Sequence, residues 1–234
     1  MSARAPDQLR DFSIERSTLT PAPGCVIARF GNTRVLCTAS ILSDVPGWLA
    51  NQDPPRGWVT AEYNMLPAST GGERKKRGTD GRSQEIQRLI SRVLRAAVDL
   101  YRMPRLMIVC DCEVLSADGG TRTTAINGAC VALADAIQWA LEKELIPENP
   151  FLGPVAAIST GIVKQKPMLD LDYILDSSAE VDLNVAMDHN LDLIEIQGTG
   201  EQAAYSRDAL NDMLDLAEQG IARILDAQKK LLGI

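Results

Sequence analysis

Residues 106–128, LMIVCDCEVLSADGGTRTTAING, pass from an apolar run through a polar turn holding two glycines into the start of a helical pattern. The run at 106–115 is almost continuously apolar and reads as a buried strand. From Thr123 to Lys143, the three-and-four spacing of Ile126, Cys130, Leu133, Ile137 and Leu141 predicts an amphipathic helix with that stripe inward. Between them the glycine pair lets the backbone turn sharply and approach a ligand. The amides of Gly120, Thr121 and Arg122 fall where a helix begins, before its ladder uses them. Free amides, the positive helix end and an arginine together favour an anion. Two readings stand at this point: a helix start capped by Thr121 or Thr123, or a phosphate cradle. The stretch matches neither GxxxxGK[ST] nor GxGxxG, so an ATP loop and a dinucleotide fingerprint have no support.

Outward from this stretch, residues 24–40 alternate apolar and polar on either side of Gly31-Asn32, which predicts two antiparallel strands joined by a tight hairpin. A stretch broken by Pro and Gly (45–57) and the apolar-aromatic WVTAEYNMLP (58–67) lead to a polar loop, STGGERKKRGTDG (69–81). Residues 85–100 then predict a helix burying Ile86, Leu89, Ile90, Val93, Leu94 and Ala97, with Arg88, Arg92 and Arg95 on its other faces. The second half offers strands at 154–164, 168–175, 180–187 and 191–197, with breaks at Lys166-Pro167, Ser177-Ser178 and Asp188-His189-Asn190. A long helix follows, capped near Ser206, that buries Leu210, Met213, Leu214, Ala217, Ile221, Ile224 and Leu225. Strands gathered in runs with helices to cover them indicate an α+β fold. No linker divides the chain, so residues 1–234 are expected to form a single domain, and no short-period repeat is seen.

Composition narrows the function classes. The 234 residues are 45% hydrophobic, enough to bury a real core. No long uncharged apolar run and no secretory leader is found, so no membrane partner and a cytoplasmic location are expected. The 5 cysteines include no CxxC and no Cys/His cluster, and read as buried thiols, with Cys110 and Cys112 on one strand face. The net charge of −7 argues at first against nucleic acid, but the balance is segregated. Between Glu73 and Arg105 lie ten basic and four acidic residues, a local charge of +6 against −13 for the rest. That asymmetry fits an anion-binding surface on an acidic body, and equally a solvated helix face.

Two further constellations matter. Arg82, after Gly81 and just ahead of the predicted 85–100 helix, is placed to pair bidentately with a phosphate; its bland reading is a surface arginine. Asp176, Glu180 and Asp182 bring carboxylates together, with Glu180, Asp182 and Asn184 on one strand face and Asp176 approaching from the preceding strand end. Beside a phosphate site they suit Mg²⁺; alone they suit a strand edge blunted by charge. The single histidine, His189, reads as a turn residue. No G-x-S-x-G elbow or Cys/His dyad supports a covalent nucleophile.

Six ordered blocks carry a resemblance: GNTRVLCTAS (31–40), GWVTAEYNMLP (57–67), GRSQEIQRLISRVLRAAVD (81–99), DCEVLSADGGTRTTAINGACVALADA (111–136), DSSAEVDLNVAM (176–187) and IEIQGTGE (194–201). Together they resemble the ribonuclease PH family of phosphorolytic exoribonucleases over nearly the whole chain. That resemblance implies a single domain like the second domain of ribosomal protein S5, assembled as a homohexamer, a trimer of dimers. It implies that Arg82, Gly120, Thr121 and Arg122 bind inorganic phosphate as co-substrate, and that Asp176 and Asp182 hold Mg²⁺. It assigns Arg82, Arg122, Asp176 and Asp182 to catalysis, and the loop residues Arg74, Lys75, Lys76 and Arg77 to RNA binding. The implied reaction is phosphate attack on the last phosphodiester of a tRNA precursor, releasing a nucleoside diphosphate; in reverse, nucleotides are added from diphosphates. The family often has an arginine after the proline of MLP, where this chain has Ala68. The alternative is a catalytically silent, RNA-binding scaffold subunit of an exosome-like ring, whose signature would be loss of the arginine or acidic motifs. A small-molecule kinase on the same fold would want a Gly/Ser-rich ATP loop, which the chain lacks.

Overall fold

The computed structural model describes residues 4–72, 74–76, 78, 80–202 and 204–234. The first sheet has the order β1-β2-β3-β5-β4, built from β1 (Phe12–Arg16), β2 (Gly24–Phe30), β3 (Thr33–Leu42), β4 (Trp58–Met65) and β5 (Met107–Ser116). Gly31-Asn32 turns β2 into β3 with Phe30 opposite Thr33, the predicted hairpin. A short helix, α1 (Gly47–Ala50), precedes β4. β4 and β5 are parallel, Trp58 opposite Met107, because α2 (Gly81–Ala96) carries the chain back between them.

The second sheet, order β7-β6-β8-β9, is antiparallel throughout: β6 (Ala156–Val163), β7 (Lys166–Leu169), β8 (Val181–Met187) and β9 (Leu193–Gly200). A short helix, α4 (Tyr173–Asp176), joins β7 to β8, and α5 (Arg207–Leu232) lies against β6, β7 and β8. The Ser206 hydroxyl accepts the amide of Ala209 at 3.1 Å, the expected N-cap.

Between the sheets runs α3 (Thr121–Glu142), packed on β2, β3 and β5 on one side and on β6 and α5 on the other. The predicted single stripe understates it. Ala125, Ala129, Val131, Ala132 and Ala136 are buried as well as Ile126, Cys130, Leu133 and Ile137. A helix covered on several faces must be apolar on several faces. Its composition and length are those of a membrane span, yet 78% of the relevant window is buried inside the fold. Asn127, fully buried, shows what a polar residue must do there. Its Nδ2 donates to the Ala157 carbonyl at 2.9 Å and its Oδ1 accepts the Ala157 amide at 2.8 Å, so the side chain joins helix to strand as another strand would. From α5, Gln228 Nε2 donates to the carbonyls of Asn127 and Val155, at 3.0 and 3.1 Å.

Several boundaries differ from expectation for local reasons. α2 begins at Gly81, not 85, since Asp80 caps it by accepting the Ser83 amide at 2.7 Å; the glycine sits inside the first turn. Its predicted apolar stripe is buried. The strand expected over 168–175 stops at Leu169, because Asp170 is left-handed (φ 56°) and Asp172 caps α4 through the Leu175 amide at 3.0 Å. The break expected at Lys166-Pro167 falls at Lys164-Gln165, both left-handed, and β7 starts right after it. β1 lies outside the expected hairpin and completes the sheet edge. All five cysteines are free and buried, and burial pushes the Cys130 thiol up to about 12, which keeps it neutral.

Gly24 in β2 faces α3 so closely that an added Cβ would lie 1.9 Å from the Ala132 carbonyl oxygen. Replacing Gly24 by Ala is expected to cost about 2 kcal/mol or more, read as a lower urea midpoint with an unchanged slope.

Candidate active site

Where the two sheets meet, a cleft of about 830 Å³ is lined by Arg82, Asp118–Arg122, Ser159, Tyr173, Asp176, Asp182 and Asn184, among others. Residues far apart in the chain arrive there by separate routes. Arg82 stands in the first turn of α2, the glycine loop leads into α3, Asp176 ends α4, and Asp182 and Asn184 project from β8.

The loop before α3 is not a threonine cap. Gly119 and Gly120 are both left-handed (φ 75° and 63°), and Gly120 stands at the N-cap with no side-chain cap bond. The hydroxyls of Thr123 and Thr124 instead turn back to donate to the Gly120 carbonyl, at 3.0 and 2.8 Å. The helix ladder starts with the Thr124 amide on Gly120 O at 3.0 Å, so the amides of Thr121, Arg122 and Thr123 precede it. The hairpin turn braces the loop from behind: Thr33 Oγ1 donates to the Gly119 carbonyl at 2.7 Å and accepts the Asp118 amide at 2.9 Å. Asn32 Nδ2 donates to Asp118 Oδ2 at 3.1 Å.

Arg122 is held at the cleft by Gln197 Oε1 on β9, 3.3 Å from Nη1, and by Glu85 of α2 at 3.6 Å. Gln197 is opposite Asn184 in the β8–β9 register. Arg82 is exposed, and no hydrogen bond or ion pair to it is found among the described residues. An exposed guanidinium fork suits an anionic ligand.

Facing these cations are two carboxyl groups. Burial raises Asp176 above the ordinary carboxylate range, opposed by Arg82 and Arg122. Burial, then the charge of Asp176, pushes Asp182 up to about 6, against the pull of Arg122 and a hydrogen bond from Asn184 Nδ2 at 3.3 Å. Glu180 does not join them: it precedes β8, and its Oε1 accepts the Gln165 amide at 3.1 Å. Asp176 arrives from a helix end and not from a strand end.

The basic loop is placed in part. Lys75 lines the main cleft, Lys75 and Lys76 line a neighbouring hollow of about 320 Å³ with Arg82, and Arg74 is exposed outside both. Arg77 lies outside the described residues. Two arginines of α2 are engaged internally: Arg92 Nε donates to Glu195 Oε2 at 2.8 Å, and Arg95 lies 4.4 Å over the Trp58 ring. His189 sits in the turn after β8, where Asp188 Oδ1 accepts the amides of Asn190 and Asp192 at 2.8 and 2.9 Å.

Sequence reasoning missed three contributors. Tyr63 of β4, read only as part of an apolar segment, is buried and donates its hydroxyl to Thr121 Oγ1 at 2.8 Å. Arg10 reaches the back of the glycine loop from a segment with no periodicity to mark it, and Asp170, from a segment read as a strand, holds Arg10 there. Their signal lies only in a pairing across 160 residues of chain.

A model of the 3′ exoribonuclease family, RNase PH, domain 1, matches residues 8–137, and its domain 2 matches residues 153–220. The chain belongs to this 3′ exoribonuclease family. Curated relatives named ribonuclease PH are 50% identical in Corynebacterium efficiens and 51% in Corynebacterium glutamicum, each alignment spanning 99% of this chain and 95% of the relative. Solved structures at 19% identity share the fold: rice Rrp46 (TM-score 0.80, 98% of both chains) and the Archaeoglobus fulgidus exosome with RNA bound to its active site (TM-score 0.84, 97% and 91%). In this family member the cleft draws Arg82 and the glycine loop from the first matched segment and the acidic pair from the second.

A raised carboxyl pKa has a definite sign in the stability. With the ordinary value at 3.8 and the folded value about 6, the native state holds the Asp182 proton more tightly, so stability falls as pH rises from 4 through 6 and stays lower above. In buffer containing a chelator, Asp182→Asn is expected to be more stable than wild type at pH 8 by about 2 kcal/mol, a gap that closes by pH 4. Melting curves across that range measure it.

Proposed function

We propose that the chain is a phosphate-dependent 3′-to-5′ exoribonuclease that trims the 3′ ends of tRNA precursors and releases nucleoside diphosphates, and that adds nucleotides from diphosphates in reverse. The observation that carries this is the meeting of Arg82, Arg122 and the amide-rich start of α3 opposite Asp176 and Asp182 in one cleft. Family membership, with relatives named ribonuclease PH at half identity, supports the same reaction.

The chemistry follows from charge. Inorganic phosphate must approach an anionic phosphodiester, so the chief barrier is repulsion and alignment. Arg82, exposed and without a hydrogen bond or ion pair among the described residues, and Arg122, steadied by Gln197 and Glu85, bind the attacking phosphate as a two-sided clamp. The amides of Thr121 and Arg122 and the α3 dipole add fixed positive potential that needs no reorganisation during attack. Lys75 and Lys76 at the rim draw the RNA backbone toward the cleft.

Asp176 and Asp182 fit a divalent cation on chemical grounds. Burial makes ionisation of both carboxyls costly, the charge of Asp176 adds to that cost at Asp182, and a cation held by the pair would relieve it. Mg²⁺ is bound through one or two carboxylates and keeps waters and substrate phosphate in its shell, a set that two carboxyls beside a phosphate site can provide. When bound, Mg²⁺ would offset charge on the scissile phosphate.

The resemblance also supports one domain over residues 1–234 and a homohexamer built as a trimer of dimers. Trp48 and Tyr101, 59% and 58% exposed, supply apolar surface for contacts between copies. Native mass reads that assembly directly.

With RNA labelled at its 3′ end, nucleoside diphosphate release is expected only when inorganic phosphate is supplied. Arg122→Ala is expected to lower kcat/KM for phosphate by about a hundredfold or more. RNA binding without any phosphate-dependent release by the wild type would overturn the assignment in favour of a silent scaffold subunit.

A further inference from the structure

The phosphate-binding loop and the acidic pair belong to different segments, and one buried ion pair ties their supports together. Arg10 is 8% exposed and Asp170 1%. Arg10 Nε donates to Asp170 Oδ2 at 3.0 Å and Nη2 to Oδ1 at 2.7 Å, a bidentate fork, while the Arg10 amide donates to Oδ2 at 2.8 Å. The remaining arm, Nη1, donates to the carbonyl of Asp118 at 2.6 Å. Arg4 adds a bond from Nη2 to the Asp170 carbonyl at 2.7 Å.

Both sides of this pair bear on the cleft. On one side, the Asp118 carbonyl is drawn to Arg10 and the Gly119 carbonyl to Thr33. In a trans peptide the N–H points opposite to the C=O, so the amides of Gly119 and Gly120 turn away from these donors. Left-handed Gly120 followed by the right-handed start of α3 at Thr121 gives the alternation of handedness whose successive amides form an anion-binding concavity. On the other side, Asp170 is itself left-handed and starts the segment 170–172 that leads into α4, which ends in Asp176. The two supports touch without slack: a Cβ on Gly119 would lie 2.6 Å from the Leu171 oxygen, and one on Gly120 would lie 3.0 Å from Arg10 Nη2.

We propose that the Arg10–Asp170 pair is a positioning element that orients the Gly119-Gly120 amides and fixes their spacing from the Asp176 turn, so that Arg10 governs phosphate affinity without touching phosphate. A buried ion pair is a poor source of net stability, and its use here is geometric. Lysine cannot replace it, because a point charge cannot hold two carboxylate oxygens and a carbonyl in one plane.

This inference rests on the phosphate site proposed above, and its test separates the two. Inorganic phosphate is titrated against the full chain without metal, following the rise in melting temperature, and KM values for phosphate and RNA are measured in parallel. Arg10→Gln is expected to weaken the apparent Kd and raise the KM for phosphate about tenfold, with KM for RNA within about twofold of wild type. Asp170→Asn is expected to act in the same direction. Leu225→Ala, a core truncation under the second sheet, is expected to lower the melting temperature yet keep wild-type phosphate affinity. Wild-type phosphate affinity in folded Arg10→Gln overturns the proposal. If Arg10→Gln does not fold, Arg10→Lys decides: at least about threefold weaker phosphate binding is expected, and unchanged binding overturns it. If the wild type itself gains no stability from phosphate, the phosphate site falls and this proposal with it.

Discussion

The burial of α3 on opposite sides is the constraint on which the rest depends. A helix packed on the first sheet through one side and on β6 and α5 through another leaves room for exposed polar residues only toward its C-terminal end, at Gln138 and Glu142. From Ala125 to Leu133 its sequence is therefore small and apolar apart from Asn127, whose side-chain amide pairs fully with the Ala157 backbone. The same constraint fixes where the helix begins. With its flanks covered, the N-terminal end emerges where the sheets part, and its unused amides open into the cleft.

The cleft is polarised by construction. Two arginines and a helix start face two carboxyls across it, and side chains behind them hold Arg122, the glycine loop and Asp182 in place. Gln197 and Glu85 steady Arg122, Thr33 and Asn32 brace the glycine loop, and Asn184 touches Asp182. Burial works against the carboxyls and in favour of any cation that joins them. In an acidic chain of net charge −7, residues 73–105 thus gather a local excess of +6 in the sequence that supplies Arg82 to the cleft.

Much of this was legible in the sequence where the signal is local. The Gly31-Asn32 hairpin, the apolar stripe of α2 and the Ser206 cap each rest on residues within one turn of one another, and each stands where expected. The failures are equally local in kind. Residues 168–175 carry a strand's alternation, but Asp170 is drawn to Arg10, 160 positions away, and the strand ends. Thr121 and Thr123 look like caps until Tyr63 from β4 claims one hydroxyl and the Gly120 carbonyl claims the other. Glu180 has the right period and the wrong location, one residue ahead of β8.

By itself the sequence determined the element types, the α+β class and the glycine loop with its arginine, because hydrophobic period, turn chemistry and motif spacing are written along the chain. Tertiary structure alone decided that Arg82, the loop, Asp176 and Asp182 share one cleft, and that Arg10, Asp170 and Tyr63 belong behind it. The physical reason is that hydrogen bonds and ion pairs between distant segments leave no periodic trace. A buried arginine and an exposed one are the same letter until the packing around them is known.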